Sequence, residues 1–138
     1  MYFDGASSRD GSRVGVVLIS PTHQVVTLSY KLQFVTTNNT TEYEALILGM
    51  KETKDLGVEQ LIVFGDSESV AQQVRDNYQV KNSKLNNYIN EVWDLIEHYF
   101  LAFNLNFVSR EENEMADSLA IAASNFKVPL DVKATYVV

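Results

Sequence analysis

Apolar and polar residues along this chain change period several times, and each change marks an element. Met1 to Ala6 predicts a short strand, with Gly5 letting the backbone turn. Val14 to Ile19 is an apolar, β-branched run ended by Ser20-Pro21-Thr22, and Val25 to Tyr30 is another, so three strands joined by tight turns open the fold. The period then becomes helical. Tyr43, Leu46, Ile47 and Met50 repeat at i, i+3, i+4, i+7, which predicts one core-facing stripe on a helix from about Asn38 to Leu56, stopped by Gly57.

Leu61-Ile62-Val63-Phe64 is continuously apolar, as a strand buried on both faces should be, and Gly65-Asp66-Ser67 ends it at the mouth of a short helix that closes near Asn77. Leu85, Tyr88, Ile89, Val92, Leu95, Ile96 and Tyr99 keep helical spacing over Leu85 to Phe100. Phe103, Leu105 and Phe107 alternate with asparagine as in a half-buried strand, and Glu111 to Ser124 predicts a last helix with Ala116, Leu119, Ala120 and Ala123 inward. The expected order is βββαβααβα over residues 1–125, an α/β fold, followed by a tail over 126–138 that suits either an extended connector or a docked edge strand. A strand starting so near the first residue predicts that the chain is a segment of a longer protein.

Thr37, Asn38, Asn39, Thr40 and Thr41 can all cap the first turn of the Asn38 helix. Two acids follow, Glu42 and Glu44, and at about 100° per residue they cannot both point at one site. If Thr41 is the cap, Thr41-Glu42-Tyr43-Glu44 is a capping box that gives Glu44 a structural role and leaves Glu42 free; Asn39 with Glu42 is the mirror-image alternative. Geometry favours Glu42 only slightly.

The length of 138 residues, with 46% hydrophobic residues, suffices for one buried core. No apolar run approaches the ~20 residues of a membrane span, and the start, MYFDGASS, lacks the basic and apolar parts of a signal peptide. Net charge −7 is the wrong sign for a module that grips nucleic acid through a basic surface. An enzyme that meets phosphates through divalent cations escapes that objection.

Asp4 ends a strand rich in aromatics and Asp66 ends the apolar strand, Glu42 sits early in a helix, and Asp117 lies one turn after Asn113. For any one acid a solvated surface or a helix cap is the commoner role. Asp4 and Asp66 stand out, because the carboxyl ends of neighbouring buried strands are where open α/β sheets place ligands. Cysteine is absent, and His23 and His98 fall in a turn and a helix away from the acids, so oxygen ligation of magnesium or manganese is expected rather than zinc. Carboxylates around two such ions suit in-line phosphodiester displacement.

Tyr2-Phe3-Asp4-Gly5-Ala6-Ser7, Thr37-Asn38-Asn39 with Glu42, Gly65-Asp66-Ser67, and Arg110-Glu111-Glu112-Asn113-Glu114-Met115-Ala116-Asp117 resemble, in order, the four acid-bearing motifs of ribonuclease H. The resemblance covers about residues 1–125 and is nearest in wording to the archaeal-like ribonuclease H domains of plant long-terminal-repeat retrotransposon polyproteins. It implies a five-stranded mixed sheet flanked by helices and endonucleolytic cutting of the RNA strand of an RNA/DNA hybrid, leaving 5′-phosphate and 3′-hydroxyl ends. It further implies two magnesium ions, replaceable by manganese, on Asp4, Glu42, Asp66 and Asp117, with Glu44 not a ligand. Gly5, Thr37, Asn38, Asn39, Arg110 and Asn113 fall where the family binds substrate. The implied setting is a monomeric domain, cytoplasmic or inside retroelement particles, with a reverse transcriptase domain in the same polyprotein and no membrane partner.

The chain departs from the pattern in places. Arg110 stands where many members carry a proton-shuttling histidine, and arginine stays protonated; phosphate contact is its expected role. Glu68 replaces a frequent glutamine. The basic protrusion of some bacterial members is missing, leaving Tyr78, Lys81, Asn82 and Lys84 as the local candidates for holding DNA. The alternatives are a catalytically weak structural or substrate-positioning module of a polyprotein, and an exonuclease or transposase of the same broad fold.

Overall fold

The computed structural model describes residues 1–8, 11–32, 37–76 and 87–114. Five strands, β1 (Tyr2–Ser8), β2 (Gly11–Ile19), β3 (Val25–Leu32), β4 (Gln60–Gly65) and β5 (Ala102–Phe107), form one sheet in the order β3-β2-β1-β4-β5. β1, β2 and β3 pair antiparallel, whereas β4 is parallel to both β1 and β5. The helices are α1 (Asn38–Asp55), α2 (Glu68–Asp76) and α3 (Asn87–Tyr99), and residues 110–114 are helical. The five-stranded mixed sheet is present and the expected element order holds through residue 114; the rest of the helix expected to reach Ser124, with Ala116, Leu119, Ala120 and Ala123, lies outside the described residues. The tail, Asp117, and Tyr78, Lys81, Asn82 and Lys84 lie outside the described residues.

Phe3, Val14, Val16 and Leu18 project from one sheet face into the core and meet Tyr43, Leu46, Ile47 and Met50 of α1. A large aliphatic or aromatic side chain buried this way contributes about 1.5–3 kcal/mol. The buried surface of α1 is wider than one stripe, since Thr41, Glu42, Ala45, Gly49 and Thr53 are also buried. The helix is covered on two sides, by β1 and β2 and by α3. Gly49 admits the Met1 and Val16 side chains. Its end follows the expectation, with Gly57 at φ 81 just past the cap at Leu56.

Three local expectations change. β1 does not end at Ala6 but runs to Ser8 along β2. Gly5 is therefore a mid-strand residue rather than a turn, and it matters for another reason: a Cβ there would meet Thr41 O at 2.5 Å and Glu42 N at 2.8 Å. β4 is buried on one face only, with Leu61 and Val63 inside and Ile62 and Phe64 half-buried, Phe64 under the stacked Tyr2 ring at 5.0 Å. Gly5→Ala should push α1 off β1, costing about 1–3 kcal/mol as an overpacked contact. Its melting temperature should fall, whereas Gly15→Ala, where a Cβ meets nothing within 4 Å, should melt close to wild type.

Candidate active site

The parallel rungs between β1 and β4 stop at Phe3↔Gly65, so the next residues, Asp4 and Asp66, leave the shared part of the sheet side by side. Gly65 has no Cβ because the Phe3 ring occupies that space, 2.5 Å from where the atom would stand. The third acid comes from α1. Thr37 is the cap, its hydroxyl oxygen accepting from Thr40 N at 3.2 Å, and the Thr41 hydroxyl donates to Thr37 O at 2.9 Å. With Thr41 buried against Gly5, the next residue, Glu42, is aimed at Asp4.

Asp4, Glu42 and Asp66 each offer a carboxylate oxygen, and these oxygens all lie within 4.8 Å of one another. Glu42 is buried, and its Oε2 has no hydrogen-bond partner. Burial, then the neighbouring Asp4 carboxylate, pushes its pKa up to about 8. Asp4 is also raised, first by burial and then by Asp66, against hydrogen bonds from Glu42 and the Gly5 backbone and the charge of Arg110. The exposed Arg110 guanidinium lies with Nε 3.8 Å from Asp66 Oδ2. Converging oxygens, one of them buried and orphaned, fit a hard divalent cation, which supplies the charge this cluster lacks.

The acids open into a cleft of about 640 Å³, whose walls include Gly5, Ser7, Asn38, Asn39, Arg110 and Asn113. Asn38 Oδ1 accepts from Ser7 N at 3.0 Å, tying the start of α1 to the end of β1. Asn113 is 2% exposed, and its Nδ2 donates to Phe3 O at 3.2 Å, one residue before Asp4. This places it as a clamp between residues 110–114 and β1, with its Oδ1 unpaired. Thr37 is exposed and caps α1 from outside the lining. Of the expected site residues, the structure gathers Asp4, Gly5, Asn38, Asn39, Glu42, Asp66, Arg110 and Asn113 around one cleft.

The capping box at Thr41 does not form. Glu44 is occupied differently: its Oε1 accepts from the Tyr88 hydroxyl at 2.7 Å, while the Tyr88 ring stacks on Tyr43 at 5.8 Å. No local pattern announces a contact 44 residues away. Ala6, Ser7, Ser67, Ser69 and Glu114 also line the cleft and were missed, although all but Ser69 sit inside the quoted motifs. Glu68 is exposed in the first turn of α2 and accepts from Gln72 Nε2 at 3.4 Å.

A family described as reverse transcriptase-like matches residues 2–123. Ribonuclease HI of Halobacterium salinarum is 31% identical over 121 residues, 86% of this chain and 60% of that protein. The chain thus spans well under two thirds of that relative's length. The crystal structure of RNase H1 from the same halophilic archaeon superposes with a TM-score of 0.72 at 30% identity, covering 91% of this chain and 96% of that one. LC11-RNase H1 in complex with RNA/DNA hybrid is similar with a TM-score of 0.71 at 25% identity, over 91% of this chain and 95% of that chain.

Proposed function

The chain belongs to the reverse transcriptase-like family, in its ribonuclease H branch, and from that premise we propose that it is an endonuclease hydrolysing the RNA strand of RNA/DNA hybrids with two magnesium ions, giving 5′-phosphate and 3′-hydroxyl ends. The observation that carries this reading is the convergence of Asp4, Glu42 and Asp66 within 4.8 Å at the floor of an open cleft. Asp4, Glu42, Asp66 and, from the last motif, Asp117 are the residues that would hold the metal. Bound there, divalent metal activates water and neutralises charge on the phosphate.

The chain's own groups do the rest. Gly5 holds α1 close enough to β1 for Glu42 to reach Asp4, and Asn113 pins the backbone before Asp4, so the acids are set before substrate arrives. Asn38 and Asn39 offer amides to 2′-hydroxyls and base edges, the chemistry that tells RNA from DNA. Arg110 places positive charge beside Asp66, suited to a phosphate oxygen.

Matched RNA/DNA, RNA/RNA and DNA/DNA duplexes incubated with magnesium decide the reading. Cutting confined to the RNA of the hybrid, internal on end-blocked substrate, is the expected result. No cutting of any hybrid would leave a substrate-positioning module instead, and cutting that needs a free end would indicate an exonuclease.

A further inference from the structure

We propose that Arg13 and Lys31 form a second contact with the nucleic acid, a basic row on the sheet face opposite α1 that grips backbone phosphates flanking the cleft; this rests on the hybrid-cleaving reading above. The two residues are direct cross-strand partners on β2 and β3, and Arg13 is paired on its other side with Ala6 of β1. Both are exposed. Like charges set opposite each other weaken a sheet, and neither cation forms an ion pair with an acid among the described residues.

The other described cations are engaged: Lys51 with Glu91 at 2.8 Å, Lys54 over the Tyr99 ring at 4.4 Å, Arg75 donating to Leu105 O, and Arg110 beside Asp66. In a chain of net charge −7, two adjacent unneutralised cations are a feature that a polyanion would complete.

Their placement gives the polyanion its identity. Side chains alternate along a strand, so the row Ala6, Arg13, Lys31 shares a face with the row Asp4, Gly15, Ser29, two residues along the strands. With strands ~4.8 Å apart and ~3.4 Å rise per residue, the Arg13 and Lys31 backbones lie about 8 and 12 Å from that of Asp4. That is the distance of a few nucleotides at ~3.4 Å each along one strand of a duplex. Between acid and cations the floor is low: a Cβ on Gly15 would meet nothing within 4 Å, and Ser29 is small and exposed. A duplex whose scissile phosphate sits at Asp4 can extend over this floor without a clash from its side chains.

The test compares wild type with the Arg13→Gln/Lys31→Gln double variant, using Lys51→Gln/Lys54→Gln as a control of equal net charge. The expected result is a KM for hybrid raised about tenfold with kcat within twofold of wild type, and a log-log salt slope of binding made shallower by about one to two. The control should keep wild-type KM and slope. Because a like-charge pair is being removed, the Arg13/Lys31 variant should melt no lower than wild type, which separates lost contact from lost fold. Unchanged KM and slope, or an equal change in the control, would overturn the proposal. If wild type cuts no hybrid, the ribonuclease reading fails, and the same variants' binding curves for hybrid and their salt slopes still decide the row.

Discussion

Asp66→Asn should lower the rate of hybrid cleavage about a thousandfold while the protein stays folded, a loss of about 4 kcal/mol in the barrier. The side chain projects from the point where β4 stops pairing with β1, and its carboxylate oxygen shares one small volume with those of Asp4 and Glu42. An amide of the same size keeps the packing but removes a charge and an anionic ligand oxygen. Glu42→Gln should cost as much, since Glu42 is buried and has an orphaned oxygen aimed into the same cluster. Glu44→Gln is the control and should cut nearly normally, because that carboxylate is held by Tyr88. Single-turnover rates on saturating hybrid, with circular dichroism to verify folding, make the comparison. A dead Glu44→Gln beside an active Glu42→Gln would reverse the assignment of the two helix acids.

Without divalent metal, Glu42→Gln should melt higher than wild type at pH 8, by roughly 10 °C at about 3–6 °C per kcal/mol. Two like charges 4.8 Å apart repel by about 3–4 kcal/mol at an effective dielectric near 20, and Glu42 adds burial to that repulsion. The sign follows from the raised pKa. Glu42 contributes stability that is complete below the unfolded value near ~4.3 and is lost as pH rises through about 8. Asp4, raised for the same reasons, acts in the same direction. Between pH ~4.5 and ~8 the metal-free wild type should therefore lose ground steadily to the variant. Magnesium should narrow the gap: binding the folded state only, at a hundred times its dissociation constant it adds about 2.7 kcal/mol, and the variant, short of one charged ligand, should gain less. Melting curves from pH 4.5 to 8.5, with chelator and with magnesium, measure both effects. Parallel curves with no magnesium response would mean that the three acids do not act as one site.

The elements were legible in the sequence because the signals that make them are local. The i, i+3, i+4 spacing of Tyr43, Leu46, Ile47 and Met50 needs only one helix to be meaningful, and so does the stop at Gly57. The order of the acid-bearing motifs was equally plain, and with it the family. The meaning of individual side chains was not. Whether Glu42 or Glu44 serves the site could not be settled by capping rules, since Thr37 is the cap and Glu44 is taken by Tyr88, 44 residues on. Gly5 resembled a turn and is instead the place where β1 touches the Thr41 carbonyl. Asn113, expected among the substrate contacts, lines the cleft with its side chain buried on the Phe3 carbonyl, 110 residues back, a bond no local signal announces. Local periodicity follows from the geometry of a single helix or strand. Which carboxylates crowd together, which glycine has no room for a methyl and which amide is sealed inside depend on elements meeting across the sheet, and only the tertiary structure brings those together.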